Sequence, residues 1–169
     1  MTAIRLALEV AAALGAGLVA GIFYAFSTFV MRGLGRLPAE QGIAAMKSIN
    51  VTVLNPLFFA AFFGTAVVCA VLGLWSLVSL FIGREPGMLC ALIGCLLYLI
   101  GVIGVTIWFN VPLNNALAAV APQSAEGASL WARYLTVWTN WNHVRTVAPL
   151  LASALFIAAL WLQARAPAS

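Results

Sequence analysis

The run Trp138-Thr139-Asn140-Trp141-Asn142-His143-Val144-Arg145-Thr146 gathers polar and aromatic groups in a chain that is 64% hydrophobic and 7% charged. It holds two of the six Trp, the only His and one of the eight Lys/Arg. Arg145 offers a planar fork of donors suited to an enolate or carboxylate oxygen, or to backbone carbonyls at a helix end. Its plainer role is anchoring at a membrane interface by snorkelling. His143 is the residue type that takes a proton near neutral pH as a general base; as a lone His at a membrane edge it also fits a hydrogen-bonded structural role. The tryptophans either stack on a flat aromatic ligand or belong to an interfacial belt.

Helical spacing divides these groups. From Leu130 onward, Trp131, Leu135, Trp138, Asn142 and Arg145 follow at steps of four, three, four and three, forming one stripe. His143 lies about 140° around the helix from Trp138, beside Thr136, Thr139 and Asn140. At most one of the two faces looks straight into a pocket, and the Arg145 face is the expected binding face. Metal chemistry is disfavoured by ligand count, with one His, no Asp, and Cys69, Cys90 and Cys95 out of register with it. Haem ligation by His143 lacks a second axial ligand, and no phosphate-cradling glycine loop or Ser-His-Asp set is present. No cofactor is expected. The cysteines form no C-x-x-C pair and sit in apolar segments as small apolar residues, so no disulfide framework is expected.

The elements that must position this run are membrane spans. Mean hydropathy is +1.09, and crossing a hydrocarbon core of about 30 Å takes roughly 20 apolar helical residues. Segments 10–31, 57–82, 88–109 and 146–163 approach that requirement, giving an all-α, integral membrane four-helix bundle in one domain, 1–169, with short amphipathic helices in loops 1-2 and 3-4. The first apolar run is longer than a signal-peptide core and has no clear cleavage site, so it reads as a retained helix. The formal charge of +4 forms no basic tract, and nucleic acid is not an expected partner. The lipid bilayer is. Arg32, Arg36, Lys47, Arg133 and Arg145 outnumber Arg5, Arg84 and Arg165, which puts the termini outside the cytoplasm by the positive-inside rule; that balance evens out if Arg133 and Arg145 are held in a site.

Ala13, Gly17, Gly21 and Ala25 recur at a four-residue spacing, a packing stripe for use within the bundle or across a homo-oligomer. Arg5 and Glu9 are spaced for an i to i+4 pair. In loop 1-2, Ala39 to Asn50 reads as a helix with Ile43, Met46 and Ile49 on its apolar face. Pro112 pushes Val111 out of the helical region and so marks a boundary or kink. Arg84-Glu85-Pro86-Gly87 is a short turn that makes spans two and three antiparallel neighbours. Asn50, Asn55, Asn110, Asn114 and Asn115 then join the Trp/Arg run at one end of the bundle. Buried amides need partners, so one converging network is expected, either closing the bundle end or lining a pocket.

Four blocks carry a resemblance: Ala25 to Met31; Ala45 to Asn50 with Asn55-Pro56; Thr106 to Asn114; and Trp138 to Thr146. In this order and spacing the chain resembles the anthrone-oxygenase-like family of small integral membrane proteins, over nearly its whole length. The resemblance implies a four-helix membrane protein, located in the cytoplasmic membrane of a bacterium. Some members of the family are linked to oxidation of anthrones to anthraquinones by molecular oxygen without a metal or flavin. On that implication His143 and Arg145 are the candidate catalytic residues. Asn50, Asn110, Asn114, Trp138 and Asn142 are the candidates for binding a flat, lipophilic aromatic substrate. Lys47 departs from the Gln expected at its place. The competing expectation is a non-enzymatic membrane protein that binds a quinone or lipid, or an accessory subunit whose Asn/Trp/Arg cluster closes the bundle.

Overall fold

A computed structural model describes residues 3–83 and 85–165. Arg84, in the expected turn between the second and third spans, lies outside the described residues. Among those described there are helices and connections but no strands. Four helices are long and apolar enough to cross a membrane: α1 (Ala3–Leu34), α3 (Pro56–Ile82), α4 (Met88–Ala119) and α5 (Ala125–Ala164). Between α1 and α3 lies the short α2 (Ala39–Thr52).

The starts of these helices follow from side-chain chemistry. Asn55 caps α3, its Oδ1 accepting from Phe58 N at 3.0 Å, with Pro56 in the first turn where a missing N–H costs nothing. Ser124 caps α5 in the same way, accepting from Gly127 N at 2.9 Å. Gly87 opens α4 with φ 82°, and a Cβ there would fall 2.6 Å from Ala159 O, so glycine is required by both conformation and space.

Small residues let α1 and α5 pack as the central pair. Ala12, Ala13 and Ala16 are buried, and Ser153 Oγ donates to Ala13 O at 2.9 Å. The stripe anticipated on α1 is thus partly spent inside the chain: Ala13 and Gly17 face α5, while Gly21 is exposed. Around this pair a membrane-level core contains Phe62, Leu72, Tyr98 and Phe156, with the Tyr98 hydroxyl donating to Phe62 O at 2.9 Å. A second, aromatic core at one end joins Met31, Ile43, Met46 and Leu117 to Trp131, Tyr134 and Trp138. Ile43 and Met46 face inward as the amphipathic reading of α2 requires.

Two features differ from the sequence expectation. Val111 remains helical, at φ −61° and ψ −44°, and α4 runs on through Pro112 to Ala119. The short helix expected before the fourth span is therefore Val111–Ala119, continuous with α4. Proline is tolerated because the residues before it are wound as π-helix, Leu99–Gly104 and Thr106–Asn110, with Val111 N–H donating to Thr106 O five residues back. The wider turn shifts the backbone ladder that a ring at 112 would otherwise break. The second difference is α5, which starts at Ala125 rather than near Thr146. Its 40 residues make a rod of about 60 Å, twice the hydrocarbon thickness. Its first half therefore extends past the apolar slab, carrying the aromatic core with it.

At the other end of the bundle, Glu9 is fully buried and Arg5 nearly so. Arg5 Nε donates to Glu9 at 3.1 Å, Arg5 also pairs with Glu85, and Arg5 Nη2 donates to Pro86 O at 2.8 Å. Gln163 Nε2 reaches both Glu9 oxygens at 2.6 Å. This cluster ties α1, the α3–α4 turn and α5 together. Removing one member of a buried ion pair leaves the other desolvated. Glu9→Ala is expected to cost about 2–3 kcal/mol in reversible unfolding from mixed micelles, Glu85 retaining part of the pairing; a loss below about 1 kcal/mol would show that the cluster is solvated.

Candidate functional site

Where α1, α2, α3, α4 and α5 meet beneath the aromatic core, they enclose a chamber of about 200 Å³, smaller than the usual ligand pocket. Its walls are apolar: Phe23 and Phe26 of α1, Met46 and Ile49 of α2, Phe58, Phe59, Phe62 and Phe63 of α3, and Val111 of α4. The polar groups reaching it are few, namely Asn50, Thr106, Asn114 and Arg145, beside Trp138. The rim includes the exposed Leu54, Phe59 and Phe63, so the opening itself is greasy.

Arg145 is 5% exposed and does not snorkel to an interface. Its Nη2 donates to Asn142 Oδ1 at 2.9 Å and its Nη1 to Thr106 Oγ1 at 3.3 Å. The guanidinium carbon sits 4.3 Å from the centre of the Phe23 ring and 4.9 Å from that of Trp138. Its Nε is buried with no acceptor. Among the described residues no carboxylate pairs with it. A buried cation balanced only by hydroxyl, amide and π-faces is electrostatically incomplete, and the chamber is the open direction from which an anionic or strongly dipolar oxygen would complete it.

Local winding explains how the partners arrive. A π turn in α1 over Phe26–Val30, with Met31 N–H donating to Phe26 O, begins three residues after Phe23 and contains Ser27, and both residues meet α5. Asn142 is fully buried and donates through Nδ2 to Phe23 O and to Ser27 Oγ, both at 2.8 Å. Ser27 Oγ lies 2.9 Å from Thr146 Oγ1. Asn142 thus couples α1 to the arginine. On the opposite side a Cβ on Gly101 would lie 2.4 Å from Ala148 Cβ, so glycine lets the π-wound part of α4 approach α5 beside Arg145 and deliver Thr106.

Of the five asparagines expected to converge with the Trp/Arg run, Asn50, Asn110 and Asn114 do, with distinct tasks, whereas Asn55 is used up as the cap of α3 and Asn115 is exposed. Asn114 faces the chamber, and its Oδ1 accepts from the Tyr134 hydroxyl at 2.6 Å and from Trp138 Nε1 at 2.8 Å. Those two rings belong to a stack in which Trp131 and Tyr134 are 5.7 Å apart and Tyr134 and Trp138 5.5 Å. Asn50 reaches the chamber from α2. Asn110 is buried behind the wall, donating to Trp138 O at 3.2 Å with its Oδ1 unpaired, and Asn142 also lies behind the wall. His143 is exposed on the far side of α5, facing the end of α1 with Thr139. The structure therefore brings Arg145, Trp138, Asn114 and Asn50 to one chamber and leaves His143 outside it. Lys47 does not line the chamber either; its ammonium donates to Ala118 O at 3.0 Å and Val120 O at 2.6 Å, closing the carbonyl end of α4.

Sequence reasoning missed the α3 phenylalanines, though Leu57-Phe58-Phe59-Ala60-Ala61-Phe62-Phe63 signals them: four of the ten Phe fall in the six positions 58–63, just after the Asn55-Pro56 start. Phe58 and Phe62 stack with centroids 5.3 Å apart. Thr106 was in view only as part of a block, and Tyr134 offered no pattern of its own.

The family model for anthrone oxygenase matches residues 57–155, more than half of the chain. The chain belongs to the anthrone oxygenase family. The matched stretch contains the phenylalanine wall, Thr106, Asn114, Trp138, Asn142 and Arg145, whereas Phe23, Phe26 and Asn50 come from the α1–α2 part outside it. No curated protein and no solved structure matches the chain. Within this anthrone oxygenase family protein, Asn114 is the acceptor that two buried aromatic donors share. Asn114→Leu is expected to lower stability by about 2 kcal/mol, read by chemical unfolding, with the exposed Asn115→Leu near neutral; equal effects from the two would contradict the shared-acceptor role.

Proposed function

We propose that the chamber binds a flat, lipophilic phenolic substrate of the anthrone type and promotes its oxidation by molecular oxygen, with Arg145 holding the ionised oxygen of the substrate. The observation that carries this reading is the buried guanidinium without a carboxylate partner among the described residues, turned toward a largely apolar, phenyl-lined space. An arginine in such surroundings favours the anionic form of what it binds, because an opposite charge a few ångströms away in a poorly screened site lowers the substrate's proton affinity. For an anthrone that form is the enolate, which is also the electron-rich form that reduces oxygen.

The balance of the step is simple. A methylene C–H is lost as a proton and its electron pair enters the enolate. Electron transfer to oxygen and recombination form a C–O bond; the resulting hydroperoxide takes up a proton and eliminates water, leaving a ketone. One oxygen molecule converts CH₂ to C=O plus H₂O, and the substrate supplies the electrons. None of the residues lining the chamber is a His, Cys, Tyr or carboxylate, so this reading gives the protein no general base there: the substrate gives its proton to interfacial water before it enters through the apolar mouth, and catalysis rests on electrostatic stabilisation of the enolate. Asn50 and Thr106 are placed to orient the ring oxygens, and the α3 phenylalanines to hold the ring faces. A helical rather than barrel architecture supports placement in the cytoplasmic membrane of a bacterium. The same absence of a base favours a second reading, a non-catalytic carrier of an ionised phenol or quinol.

Oxygen uptake with emodin anthrone by the protein in nanodiscs decides between these. Arg145→Gln is expected to cut turnover by about 100-fold, with Arg145→Lys intermediate because the charge stays and the fork is lost. Wild-type turnover no faster than spontaneous autoxidation, with tight binding retained, would replace the oxygenase by the carrier. His143→Gln should keep turnover within about twofold, since nothing reaches the chamber from that face; a loss as deep as that of Arg145→Gln would make the imidazole the base after all.

A further inference from the structure

On the far side of α5 from the chamber, α1 and α5 form a separate recess bordered by Arg32, Arg36 and His143, with Ser27, Met31 and Thr139 in its walls. We propose that this recess binds the phosphate of an anionic phospholipid.

The arginines are spaced one helical turn apart where α1 ends, so both heads project over one opening. Both are exposed, and neither has a carboxylate partner among the described residues. The imidazole of His143 adds a third donor from α5. Thr139 lines the same recess. Two guanidinium forks and an imidazole around one opening suit a tetrahedral oxyanion better than a planar carboxylate.

Two observations favour a lipid as the source of that phosphate. Arg32 lies in the last turn of α1, within a segment long and apolar enough to span, the depth at which headgroups lie. Below His143 the same face of α5 continues as Val147 and Leu151, both at least half exposed, an apolar track on which an acyl chain can lie while its phosphate reaches the arginines. The proposal is independent of the chemistry in the chamber.

The test uses the full chain in phosphatidylcholine nanodiscs doped with phosphatidylglycerol, with retained lipid counted by native mass spectrometry after transfer to a neutral detergent. Wild type is expected to retain phosphatidylglycerol over phosphatidylcholine by about tenfold, and the Arg32→Gln/Arg36→Gln double variant to lose that preference. Arg133→Gln removes an equivalent exposed charge from a separate surface beside Glu126 and should leave the preference intact. Millimolar inorganic phosphate should not displace the lipid. Equal retention by the double variant, an equal loss in Arg133→Gln, or full displacement by inorganic phosphate would each overturn the proposal, the first two pointing to diffuse surface charge and the last to a free-phosphate site.

Discussion

The desolvated guanidinium of Arg145 is the constraint to which the arrangement of three helices answers. A cation removed from water must be met by dipoles or π-faces at short range, and its four partners come from three helices. Thr106 comes from a π-wound stretch of α4, Phe23 from the turn of α1 above another π segment, and Asn142 and Trp138 from α5 itself. Each contact has structural conditions of its own. Thr106 reaches Arg145 only because Gly101 allows α4 to close on Ala148, and Phe23 is held because Asn142 grips its carbonyl. The irregular winding of α1 and α4 is therefore concentrated near the level at which the bundle must meet Arg145.

Away from that level the bundle divides its work between two cores with different chemistry. The membrane-level core gains its stability from close approach of small residues on α1 and α5, as expected where lipid competes for every apolar contact. The end core relies on stacked indole and phenol rings whose polar edges are satisfied by Asn114. α5 belongs to both, and the Arg5–Glu9–Gln163 cluster fixes its distant end. A single continuous rod thus sets the chamber's position relative to the opposite membrane face.

Much of this was legible in the residues. The heptad-like spacing of Trp131, Trp138, Asn142 and Arg145 foretold one buried stripe, and the same geometry put His143 on another face. The pairing of Arg5 with Glu9 and the inward turn of Ile43 and Met46 also followed from spacing alone. What escaped had physical causes. Pro112 normally ends a helix, and nothing in single-residue preference signals that a π turn will absorb it. The hydropathy window found only the apolar half of α5, because the other half is helical for reasons of capping and aromatic packing rather than hydrophobicity. Asn110 and Asn142 look the same in sequence as Asn114, yet they are buried behind the chamber wall, a distinction that depends on which neighbouring backbone lies within reach.

The phenylalanine rim on α3 has a consequence for how affinity is defined. A mouth bordered by Leu54, Phe59 and Phe63 samples solutes dissolved in hydrocarbon, so occupancy follows the mole fraction of ligand in the bilayer rather than its aqueous molarity. Two compounds with the same intrinsic fit will differ in apparent strength by the ratio of their partition coefficients, and one compound will change apparent strength with the amount of lipid or detergent present. For the ligand class proposed above, selectivity is set first by the membrane as a solvent, and only then by the chamber.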